Sequence, residues 1–122
     1  SDFIVVAVDL NHDSQALIGE AQFGLMQKHA VFINIARGSV VDENALIEAL
    51  QQNKIFAAGL DVYAKEPLQS SALFELANVV TAPHIGSATV ETRKKMVNLA
   101  YQNLIDALED RTPRYLVNPK FE

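Results

Sequence analysis

The chain has 122 residues, 49% of them hydrophobic, enough for a single soluble domain around one core. A formal net charge of −5, with Lys94 and Lys95 the one notable basic pair, argues against nucleic acid as a partner. Cysteine is absent, which removes disulfides and thiolate catalysis, disfavours a structural zinc site and fits a reducing compartment; no metal site is expected.

The N-terminus "SDFIVVAVDL" carries an acid where a signal peptide would be basic. No apolar run approaches the roughly 18 residues of a membrane span, so a cytoplasmic protein with no membrane partner is expected. "FIVVAV" (3–8) is a continuous, β-branched run, the pattern of a strand buried on both faces. Residues 17–27 are expected to form a short helix, and "AVFINI" (30–35) repeats the strand pattern. In "DENALIEALQQ", Asp42 is suited to cap a helix whose Ala45, Leu46, Ala49 and Leu50 share one stripe. "IFAAGLDV" (55–62) and "NVVTA" (78–82) read as the third and fourth strands. "VETRKKMVNLAYQNLIDAL" then places Val97, Ala100, Tyr101, Leu104, Ile105 and Leu108 at helical spacings, capped by Ser87 or Thr89. Pro113 and Pro119 mark an extended tail.

Nearly continuous apolar strands alternating with helices predict an α/β fold with parallel pairing and right-handed crossovers. The segment after the first strand reads "DLNHDSQALIG" rather than G-x-G-x-x-G, so only half of a nucleotide fold is expected.

Parallel strands end at one edge of their sheet, and ligands bind outside those ends. Here the second strand is followed by "ARGSV", the third by "YAKEP" and the fourth by "PHIGS". With strands spaced about 4.8 Å apart, Arg37, Glu66 and His84 can face one cleft. Arginine offers a permanent bidentate donor for a carboxylate, histidine exchanges a proton near neutral pH, and a carboxylate orients the imidazole. Together they suit an oxo or hydroxy acid. Glu66 would favour the charged ring, and desolvation would disfavour it. Taken singly, each residue has a plainer reading: Arg37 as a strand cap or a partner of Asp42, Glu66 as a solvated loop acid, Asp61 as a turn former, His84 as a strand cap. Gly59 and Gly86 permit bends or close ligand approach, and His12 and His29 read as surface residues.

"NIARGSVVDENALIEAL", "AAGLDVYAKEP" and "NVVTAPHIGSATVETR", in that order, resemble the NAD(P)-dependent D-2-hydroxyacid dehydrogenases from about residue 1 to about 119. Within the family, "VVDENALIEALQQNKIFAAGLDVYAKEPL" and "NLIDAL" followed by "VNP" look most like the bacterial glyoxylate/hydroxypyruvate reductases, also described as 2-ketogluconate reductases. The resemblance implies that Arg37 holds the substrate carboxylate and carbonyl, His84 protonates the carbonyl oxygen, and Glu66 supports His84. Asp61 corresponds to the acid that contacts the nicotinamide carboxamide. Backbone around Ala36, Arg37, His84 and Gly86 would border the nicotinamide half of NADPH or NADH, with NADPH slightly favoured. A small 2-oxo or 2-hydroxy acid is the implied substrate, and the parent is expected to be a homodimer.

One departure is that "DLN" stands where family members commonly have "PLT", which puts Asp9 beside the expected cofactor path. The resemblance assigns residues 1–88 to the C-terminal half of a Rossmann-like dinucleotide-binding domain, 89–110 to a long helix leading toward a substrate domain, and 111–122 to a tail. Without a glycine-rich phosphate turn the isolated chain is expected to be inactive. Two readings of other classes stand beside the dehydrogenase: a dinucleotide-sensing corepressor and a non-catalytic remnant.

Overall fold

In the computed structural model, which describes residues 1–117, each apolar run contributes one short strand. These are β1 (Phe3–Val6), β2 (Val31–Asn34), β3 (Ala57–Leu60) and β4 (Val79–Thr81), all parallel and laid side by side in chain order. Two helices, α1 (Glu20–Gly24) and α2 (Glu43–Gln51), return the chain between the first three strands, and a single 3₁₀ turn at Ala72–Glu75 lies between β3 and β4. The ladder stops on one line: Val6 stands opposite Asn34, Asn34 opposite Leu60, and Leu60 opposite Thr81. The strands are therefore shorter than the apolar runs, because Ala7, Val8, Ile35 and Ala36 continue past that line into the loops.

Alternation along the strands directs Val6, Phe32, Ala58 and Leu60 into a core with Phe23 of α1 and Leu46 and Leu50 of α2. Phe23 and Phe32 meet edge to face at 5.2 Å between ring centres, a geometry that adds about 1 kcal/mol to the area they bury. The Asp42 carboxylate accepts the Asn44 and Ala45 N–H groups at 3.0 and 3.1 Å, capping α2 as its position predicts.

Burial on both sheet faces, expected from the unbroken apolar runs, is not what the strands show. Val5, Ile33, Gly59 and Val80 form a row across the opposite face. There Phe3, Val5 and Val80 are 67%, 54% and 74% exposed. The runs are apolar on both sides, yet α1 and α2 pack on one side alone.

The contacts divide the chain into two compact units between Gly86 and Ser87. In the second unit, α3 (Val90–Leu108) starts at Thr89, whose hydroxyl accepts the Thr92 N–H at 3.1 Å; Ser87 is not the cap. Arg111 closes the far end by donating to Asp106 from Nε at 3.1 Å and Nη2 at 2.8 Å. No described helix is long and apolar enough to cross a membrane. Pro119, placed in the tail by sequence, lies outside the described residues.

Candidate active site

The loops leaving the line of strand ends carry the candidate residues. After β2, the buried Asn34 side chain makes the turn: its Oδ1 accepts the Ala36 N–H at 3.0 Å and its Nδ2 donates to the Arg37 carbonyl at 3.1 Å. Arg37 thus starts from a fixed backbone. Its guanidinium donates from Nη1 to the Ala36 carbonyl at 2.7 Å rather than to Asp42, and it lines a crevice of about 620 Å³ with Val8, Asp9, Ile35 and Ala36. Asp9 lies at that crevice, its carboxylate accepting Asn11 Nδ2 at 3.2 Å.

After β3, residues 61–66 form a turn held at several points. The Tyr63 hydroxyl lies 2.7 Å from the Ala82 carbonyl and 3.1 Å from that of Leu60, tying the ends of β3 and β4 together. Burial pushes its phenol above the ordinary value. Ala64 N–H donates to Glu43 Oε2 at 3.0 Å, linking the turn to the first residue of α2. Gly38 lies so close beneath that a Cβ there would fall 1.9 Å from the Tyr63 carbonyl carbon.

This turn delivers Glu66 to His84. Glu66 Oε1 accepts the Tyr63 N–H at 3.0 Å, and Oε2 lies 2.7 Å from His84 Nδ1. The His84 hydrogen bond first, and then the Tyr63 N–H, hold the Glu66 carboxyl below the ordinary carboxylate value. An ionised carboxylate only accepts, so Nδ1 carries the proton between them. Nε2 is the ring nitrogen left to exchange a proton with a ligand. His84 and Glu66 remain 41% and 35% exposed, open to solvent on a hollow of about 510 Å³ with Pro67, Leu68 and Phe74.

His84 has φ 53°, in the left-handed region. That region costs a non-glycine residue roughly 1–2 kcal/mol, although histidine enters it more readily than most. Asp61 lies across the next two residues, its oxygens accepting the Ile85 and Gly86 N–H groups, each at 2.8 Å.

The structure therefore joins Glu66, His84, Asp61 and Gly86 in one connected set, while Arg37 and Ala36 line a separate crevice on the same edge. Arg37 still acts on the dyad at longer range, its charge adding to the lowering of the Glu66 carboxyl. His12 and His29 lie at the surface, His29 2.8 Å from Asp2. Gly59 makes no bend; it sits within β3 and leaves a gap on the open sheet face. Sequence reasoning misses Tyr63, Glu43 and Gly38: Tyr63 lies within the tightly spaced "DVYAKEP", while Gly38 and Glu43 meet that turn from a different segment and carry no local signal.

Residues 1–86 match a family model described as D-isomer specific 2-hydroxyacid dehydrogenase, NAD binding domain. The chain is 53% identical over 120 residues to glyoxylate/hydroxypyruvate reductase B of Escherichia coli, covering 98% of itself and 37% of that protein. An NAD-complexed D-isomer specific 2-hydroxyacid dehydrogenase from Lactobacillus delbrueckii ssp. bulgaricus superposes with a TM-score of 0.86 at 31% identity, over 96% of this chain and 40% of that one. An NADPH-dependent glyoxylate/hydroxypyruvate reductase from Sinorhizobium meliloti, in complex with NADP and malonate, gives 0.85 at 33% identity, over 95% and 40%. The chain spans well under half the length of these relatives.

Proposed function

Because the chain belongs to the D-isomer specific 2-hydroxyacid dehydrogenase family, we propose that the full-length protein reduces small 2-oxo acids to D-2-hydroxy acids. Glyoxylate, hydroxypyruvate and 2-ketogluconate are the candidate substrates, with NADPH or NADH as cofactor. The observation that carries this reading is the Glu66–His84 pair, 2.7 Å apart beside the carboxyl ends of the strands, with Nε2 unpaired among the described residues.

Arg37 anchors the substrate carboxylate through its planar donor pair and draws on the carbonyl oxygen. His84 donates the Nε2 proton to that oxygen as charge develops there. Glu66 stabilises the imidazolium before transfer and holds the ring afterwards through Nδ1. The nicotinamide, when bound, supplies the hydride to C2. The residues present fit that half of the cofactor: Ile35 and Ala36 give the crevice beside Arg37 an apolar wall, and on the same sheet edge, outside that crevice, the Asp61 carboxylate keeps acceptor capacity beyond its bonds to Ile85 and Gly86. The E. coli likeness and the S. meliloti neighbour favour glyoxylate or hydroxypyruvate and NADPH. We assign residues 1–88 to the second half of a dinucleotide-binding domain, 89–110 to a long helix leading toward a substrate domain, and the assembly to a cytoplasmic homodimer.

The test is reduction of glyoxylate and hydroxypyruvate by the full-length protein with each cofactor. His84→Ala is expected to lower kcat by about a hundred- to ten-thousandfold, and Arg37→Ala to lower kcat/KM mainly through KM. Full activity in His84→Ala overturns the reading.

A further inference from the structure

His84 is held from both sides along the backbone. Upstream, its N–H donates to the Ala82 carbonyl at 3.1 Å, the same carbonyl that the Tyr63 hydroxyl meets at 2.7 Å. Downstream, the next two amides, of Ile85 and Gly86, both donate to Asp61, one to each carboxylate oxygen. We propose that Asp61 is a positioning residue: by clamping the Ile85 and Gly86 amides, it keeps His84 in the left-handed geometry that sets Nδ1 on Glu66 and leaves Nε2 free. The proposal rests on the reading of His84 as the proton donor.

Successive N–H groups beside a left-handed residue converge and make a concavity suited to an anion. Here the anion belongs to the chain itself and comes from the residue just after β3. Hydrogen bonds to a charged acceptor are stronger than neutral ones, so the clamp can hold a conformation that a free loop would leave. If it opened, the peptide after His84 would be free to rotate and the ring would swing off Glu66. Gly86 fits the same account, since a Cβ there would come 3.0 Å from Asp61 Oδ2 and crowd the carboxylate. A contact between Asp61 and the cofactor is compatible with the clamp, because a carboxylate has about four acceptor sites and the loop takes one on each oxygen.

Asp61→Asn keeps one acceptor oxygen and turns an NH₂ group toward the second amide. In the full-length protein the clamp predicts that exchange of the Ile85 and Gly86 amides accelerates about ten- to hundredfold. The Ala58 amide in β3 should keep its protection. The clamp further predicts that kcat falls even when the cofactor is saturating. Unchanged exchange at both amides, with a raised cofactor KM and normal kcat, would show a cofactor contact alone and overturn the proposal. If protection is lost throughout β3, Gly86→Ala decides: faster exchange at positions 85 and 86 supports the clamp, and unaltered exchange refutes it. If the wild-type protein reduces no 2-oxo acid, the proposed function fails, and the exchange data still judge the clamp.

Discussion

Glu66 divides its two oxygens between structure and chemistry. Because the Tyr63 N–H occupies Oε1, Oε2 is the one that faces His84. Both bonds favour the ionised carboxylate, so its folded-state value lies below the ordinary 4.5. The sign follows from linkage: a depressed folded value stabilises the fold above pH 4.5, and that contribution is lost as the pH falls through the lower folded value. Glu66→Gln is therefore expected to flatten the acid side of the stability curve below about pH 4.5. Urea denaturation at stepped pH measures this, with a modest amplitude because the group is partly solvated. An acid limb identical to wild type would mean that the pair contributes nothing to folding.

Between elements, the decisive contact is the turn after β3 resting on Gly38. A methyl group at Gly38 meets backbone rather than a movable side chain, so relief requires the Tyr63–Glu66 turn to lift. Gly38→Ala is expected to cost about 3 kcal/mol in chemical denaturation, at the upper end of overpacking effects. The His84 Nδ1 resonance should shift with it, and a variant of wild-type stability would mean the turn yields easily. This contact also marks where sequence reading stops. The strands were legible because β-branched runs announce themselves, and His84 and Glu66 because they follow strand ends. Strand limits were overrun because apolar Val8 and Ile35 line a crevice rather than the sheet. Gly38, Tyr63 and Asp61's hold on Ile85 and Gly86 depend on which loops touch, and periodicity carries no information about that.

Across residues 1–86 as a whole, the sheet has one face packed by helices and one apolar face without them. A contiguous patch containing Phe3, Val5, Ile33 and Val80 favours self-association of the 122-residue chain. Val80→Lys places a charge on an edge strand within that patch and is expected to reduce concentration-dependent association in sedimentation without lowering Tm. Association that is unaffected would assign the stickiness elsewhere. The order of the strands has a further consequence, for biosynthesis. Each of β2, β3 and β4 pairs with the strand before it, so among these four described strands no gap is left for one translated later. A ribosome releasing about 5–20 residues per second presents β2, β3 and β4 one at a time to the edge left by the strand before. Emergence of the chain and growth of the sheet run in the same direction.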